Sequence, residues 1–145
     1  MDFFDALHTS SSGLSAQRTR MNVISSNLAN AQTTRTAEGG PYRRKDVVFA
    51  AQPPEQSFQN MLESKMNNAV SEVRVAEIID DPRPAQFKYD PSHPDANEEG
   101  YVATPNVNVM EEMVNMISAT RSYEAGVAAM NASKKMALKA LEIGK

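Results

Sequence analysis

The stretch NVNVMEEMVNMISATRSYEAGVAAMNASKKMALKAL, residues 106–141, decides the fold. Its apolar positions Val109, Met113, Met116, Tyr123, Val127, Met130, Ala137 and Leu141 step by alternating fours and threes, with Thr120 and Lys134 as exceptions. That spacing lays one stripe along one face of an α-helix. Met110, Val114 and Ile117 widen the stripe at its start, which suits burial against more than one neighbour. Asn108 is placed to cap the helix, with Glu111 and Glu112 in the first turn, where the helix dipole favours anions. Lys134, Lys135 and Lys139 lie toward the other end, where it favours cations.

The opposite end of the chain repeats the pattern. Phe3, Leu7, Leu14, Met21, Ile24, Leu28 and Ala31 follow the same steps, broken at Ser10 and Gln17. Leu7, Leu14, Met21 and Leu28 form a strict seven-residue repeat, the spacing that keeps a seam facing one partner. A helix over residues 3–30 would run about 40 Å. The run from Thr9 to Gly13 forms helix poorly, and a break there is open. Asn30 is expected to close the helix, because asparagine tolerates the left-handed conformation after a helix end.

Between these ends the reading changes. All eight prolines lie between Pro41 and Pro105. A Gly-Gly-Pro turn precedes a strand-like run from Tyr42 to Phe49, Val73 and Val75 alternate with charged residues, and QFKYD (86–90) could form a further short strand. Phe58, Met61, Leu62 and Met66 suit either a loop or a short helix within 52–71. The fold class is mainly α, α+β overall: two long terminal helices packed as a coiled coil around a small β-rich insert. Residues 1–36 and 106–145 are assigned to the helical part, and 37–105 to the insert.

Composition narrows function. Formal net charge is −3, too mild to imply a nucleic-acid partner. Residues 1–36 and 106–145 carry +1 each and the centre −5, so the ends are near neutral, as surfaces that pack should be. There is no cysteine, which excludes disulfides and Cys-based zinc sites. Nine methionines suit ordinary gap filling or helix surfaces that meet more than one neighbour. No basic segment followed by a continuous apolar run opens the chain, so export is expected to proceed without a cleaved signal. No stretch reaches the roughly 18–20 apolar residues of a membrane span.

No catalytic, cofactor or metal constellation stands out. His8 and His93 are the two histidines, expected at the surface or a helix edge. Asp80 and Asp81 are adjacent and thus point to opposite faces of a strand; they are expected in a solvated turn. Arg43, Arg44 and Lys45 form a basic run expected on an exposed strand or in a salt-bridged protein interface. Asn27 and Asn30 stand around Leu28, and asparagine on a helix face often fixes register.

SSNLANA, Ser25 to Ala31, and EMVNMISATRSYEAG, Glu112 to Gly126, resemble the terminal signatures of the flagellar axial rod and hook proteins. GGPYRRKDVVF (39–49) and YDPSHPDANEEGYVATPNVNV (89–109) resemble the short proximal-rod type, and the resemblance covers most of the chain. It departs at Gly126, where the family usually has asparagine, so an interface role is not carried to that position. The resemblance implies a non-enzymatic structural subunit of a helical polymer, its terminal helices lining the inner tube and its insert outside. It further implies a rod that transmits torque around an export channel in the basal body, crosses the periplasm, and is supplied by the flagellar type III apparatus. Implied neighbours are other copies of the chain, the rod proteins FlgB and FlgF, and the adaptor FliE. Stripes and motifs together nominate Leu7, Leu14, Met21, Ile24, Asn27, Leu28, Asn30, Met113, Met116, Ile117, Arg121, Tyr123, Val127 and Met130 for helix pairing and subunit contact. A soluble coiled-coil adaptor or export chaperone would use the same stripes without a polymer.

Overall fold

A computed structural model describes residues 3–52 and 71–143. The elements are helix α1 (Phe3–Ala29), strands β1 (Lys45–Gln52), β2 (Glu72–Asp80), β3 (Gln86–Tyr89) and β4 (Tyr101–Thr104), and helix α2 (Val109–Ile143). The segment for which a loop or short helix was in question, 52–71, lies almost wholly outside the described residues.

Helix α1 runs unbroken through the serine-rich stretch, against the break left open from sequence. The hydroxyls of Thr9, Ser10 and Ser12 donate back to the carbonyls of Asp5, Ala6 and Thr9 at 2.9, 2.8 and 2.8 Å. Asn30 does not take the expected left-handed conformation: among the described residues, positive φ occurs at Gly39, Gly40 and Gly100. Its side chain does the capping instead. Both the backbone N and Nδ2 of Asn30 donate to the carbonyl of Ser26, at 3.0 and 2.9 Å. Helix α2 opens on the expected cap, with Met110 N donating to Asn108 Oδ1 at 3.1 Å.

The helices pack antiparallel. Asn27 meets Glu112, and the Thr120 hydroxyl donates to Met21 Sδ at 3.7 Å. Farther along, Leu14 lies over Gly126. The seam on α2 comprises Glu112, Met116, Ala119, Tyr123, Gly126, Met130, Ser133 and Ala137, all buried or half-buried. This corrects the stripe read from bulk: Val109, Met113, Val127 and Leu141 sit in its exposed flanks. The cause is close approach. Ala119 is fully buried, and a Cβ built on Gly126 would stand 2.9 Å from Leu14 Cδ2. Small side chains admit α1 to the helix backbone, and the large ones are left beside the contact.

β1 and β2 form an antiparallel pair from Lys45↔Asp80 to Gln52↔Glu72, with a register shift between Val48 and Phe49. This hairpin lies along α1: Val73 N donates to Ser12 Oγ at 3.1 Å, and His8 Nδ1 lies 2.8 Å from Glu72 Oε1. β3 and β4 pair from Gln86↔Thr104 to Tyr89↔Tyr101. Their connection needs Gly100, which has φ +82 and whose added Cβ would fall 2.9 Å from Tyr89 Cε2. Among the described residues the buried apolar side chains are Ala16, Ile24, Val102, Pro105, Val107 and Ala119, a thin core. Asn27, Arg44, Asp81, Asn106 and Glu112 are buried beside them, so polar pairing shares the work of holding the centre.

Candidate functional site

Asn27, in SSNLANA, is fully buried where α1, α2 and the start of β1 converge. Its Oδ1 accepts from Lys45 N at 2.9 Å and from the Tyr42 hydroxyl at 3.0 Å. Its Nδ2 donates to the Lys45 carbonyl at 2.8 Å and to Glu112 Oε2 at 3.0 Å. One side-chain amide therefore satisfies both backbone groups of Lys45 and ties them to the second helix. Glu112 accepts a charge-assisted bond from Arg44 Nε at 2.8 Å through its other oxygen.

Arg44 extends the knot. Its backbone N donates to Asn106 Oδ1 at 3.0 Å, and its Nη1 lies 3.6 Å from Asp81 Oδ2. Burial pushes the Arg44 guanidinium down, but hydrogen bonds and charge pairing with Glu112 and then Asp46 together outweigh this and hold it above its ordinary value. Arg44 is thus a buried structural cation, a correction to the exposed strand or intermolecular interface expected for the basic run; Arg43 and Lys45 are exposed. Asp81 is likewise buried, not solvated, and only Asp80 faces water. The Arg83 side chain donates to Asp81 from Nε and Nη2, and Arg83 N adds a backbone bond at 2.9 Å. These bonds hold the Asp81 carboxyl at about 2, below its ordinary 3.8. A carboxylate depressed on folding stabilises the fold fully above its unfolded value and loses that contribution as pH falls through its folded value. Asp81→Asn is therefore expected to flatten the acid side of the stability profile between about pH 4 and pH 2. Urea unfolding at a series of pH values measures this; an unchanged acid slope would contradict it.

The nominated residues divide into two groups. Leu7, Leu14, Met21, Ile24, Asn27, Leu28, Met116, Tyr123 and Met130 are buried or half-buried within the chain. Tyr123 sits with Ser11, Leu14, Ser15 and Arg18 of α1. Asn30 is half-buried and serves its own helix end. Met113, Ile117, Arg121 and Val127 are exposed. Met113 and Ile117 join Met110, 72% exposed, and Val114, 64% exposed, on the face of α2 turned away from α1. Four large apolar side chains within two turns, uncovered, are a surface suited to a partner.

Sequence reasoning missed Arg44, Asp81, Asn106 and Glu112 as members of one site. The available signal was charge and amide groups within the very segments that carry the motifs. For acid–base or metal chemistry the arrangement offers little. His93 Nδ1 accepts from Asp95 N at 3.1 Å within a turn, and among the described residues no group of His, Asp and Glu could hold a metal ion. No described helix is long and apolar enough to cross a membrane.

Comparison with known proteins agrees with the motifs. A family described as "Flagella basal body rod protein" matches residues 7–35, and "Flagellar basal body rod FlgEFG protein C-terminal" matches residues 98–143. The chain is 51% identical to the flagellar basal-body rod protein FlgC of Bacillus subtilis, covering 100% of both chains. It is 45% identical to FlgC of Borreliella burgdorferi over 99% of this chain and 98% of that one. Against FlgC of Salmonella typhimurium, identity is 41% over 92% and 91%. With both helical ends matched and identity sustained across the whole length, the chain belongs to the FlgC family of flagellar basal-body rod proteins.

Proposed function

We propose that this structural rod subunit polymerises helically in the proximal rod, around the export channel, and transmits torque without catalysing a reaction. The observation that carries this is the uncovered face of Met110, Met113, Val114 and Ile117, which lies in the matched C-terminal segment. Fully burying one such side chain contributes roughly 1.5–3 kcal/mol, so a neighbouring copy that covers the face has a substantial reason to stay. In this reading residues 1–36 and 106–145 build the inner tube and 37–105 face outward. Leu7, Leu14, Met21, Ile24, Leu28, Met116, Tyr123 and Met130 pair the helices. Asn27 locks them to the insert, Asn30 finishes α1, and Met113, Ile117, Arg121 and Val127 meet neighbouring subunits. Those neighbours are further copies, the rod proteins FlgB and FlgF, and the adaptor FliE. The subunit reaches the rod, across the periplasm, through the flagellar type III apparatus without a cleaved signal.

The test is to place a charge on the outer face. Val114→Asp and Ile117→Asp change exposed positions and are expected to leave monomer stability within about 0.5 kcal/mol. Both are expected to remove the protein from purified basal bodies and abolish motility. Normal incorporation and full motility in both variants would overturn the reading.

A further inference from the structure

The β3–β4 hairpin carries a second uncovered surface, of different chemistry. Cross-strand partners share a face, so the register puts Phe87, Tyr89, Tyr101 and Ala103 together on one side. Phe87 is 69% exposed and Tyr89 63% exposed. Tyr89 and Tyr101 meet edge to face with centroids 5.3 Å apart. The loop joining the strands carries Asp90, Asp95, Glu98 and Glu99 and no lysine or arginine. An aromatic face bordered by carboxylates selects a partner that is apolar and cationic, because ring faces and acids both attract ammonium groups.

The far end of α2 has that chemistry. Met136, Leu138 and Leu141 are exposed there, next to exposed Lys134 and Lys135, while Lys139 pairs with Glu142 at 2.6 Å. The two surfaces cannot meet within one chain. The hairpin leads into the start of α2, and Thr34, just beyond α1, donates to Asp95 Oδ2 of its loop at 2.8 Å. The lysines lie at the other end of a 35-residue helix, a length of about 50 Å. We propose that the β3–β4 hairpin of one copy receives the lysine-rich end of α2 of the next copy. The two patches differ, so the contact is heterologous and repeats without closing on itself, as a filament requires. This inference rests on the polymer reading above and names one of its contacts.

Charge reversal tests it on the full-length protein. Glu98→Lys with Glu99→Lys makes one variant, and Lys134→Glu with Lys135→Glu makes the other. Self-association, followed by sedimentation, is expected to weaken at least about tenfold in each alone, since attraction becomes repulsion. An equimolar mixture is expected to recover association, because each variant's altered patch then meets the other's. The chain has no cysteine, so mixing Phe87→Cys with Leu141→Cys adds a clean second readout, an intermolecular disulfide between the two variants. Unchanged association in both reversals, or no recovery and no cross-link on mixing, overturns the contact while wild-type polymerisation leaves the rod reading standing. Normal self-association with loss from basal bodies also overturns it, by assigning the patches to a different rod protein. Failure of the wild type itself to associate or to enter basal bodies is the distinct result that removes the rod reading as well.

Discussion

Glu112→Ala is expected to cost about 3–5 kcal/mol of folding stability, the loss typical when a buried ion pair keeps only one member. Glu112 is fully buried, and its two oxygens receive Arg44 Nε at 2.8 Å and Asn27 Nδ2 at 3.0 Å. Truncation leaves the Arg44 guanidinium in the protein without its nearest counter-charge, with Asp81 3.6 Å away and Asp46 at 3.3 Å near the surface. Against a total stability of about 5–15 kcal/mol, that loss brings the chain close to unfolding. The thin apolar core cannot compensate. Urea denaturation followed by circular dichroism measures the effect. Arg44→Met combined with Glu112→Leu is expected to regain much of the loss, because it removes both charges and fills their volume. A single-variant loss below about 1 kcal/mol would show that the pair is not what holds the centre.

Asn27→Ala is expected to destabilise the fold by about 3 kcal/mol, from several unsatisfied polar groups at about 1–3 kcal/mol each when fully buried. It deletes four hydrogen bonds at once and strands both backbone groups of Lys45. Asn27→Asp is no remedy: it keeps the acceptor, loses the donor, and sets a carboxylate against Glu112. Tyr42→Phe removes one of the four bonds and serves as the scale, at about 1 kcal/mol. Thermal unfolding of the three variants orders them. A loss for Asn27→Ala no larger than for Tyr42→Phe would reduce the asparagine to a local contact.

The architecture was legible because periodicity and caps are local signals. Two helices were visible in steps of four and three, and Asn108 marked the start of α2 before any contact was known. The seam was not legible, because small residues carry it. Ala119, Gly126 and Ser133 score below Met113 and Val127 on any scale of apolar bulk, yet they let α1 approach. Asn30 looked like a residue for the left-handed region, but its amide reached back to Ser26 first. The buried knot escaped for a different reason. Arg44 and Glu112 are 68 positions apart, so nothing near either residue reveals that each neutralises the other. Asn27 stood out within its motif, but its four bonds go to Tyr42, Lys45 and Glu112, in two other segments that only the fold brings to it.

The position of that knot also makes the helix pair mechanically lopsided. The bonds of Asn27 and Glu112 lie where α1 ends and α2 begins, and the Thr120–Met21 bond joins the helices farther along. The buried polar bonds thus concentrate at one end of the pair, while small side chains pack the rest of the seam. Amide exchange is therefore expected to be slowest around Asn27, where the buried bonds concentrate.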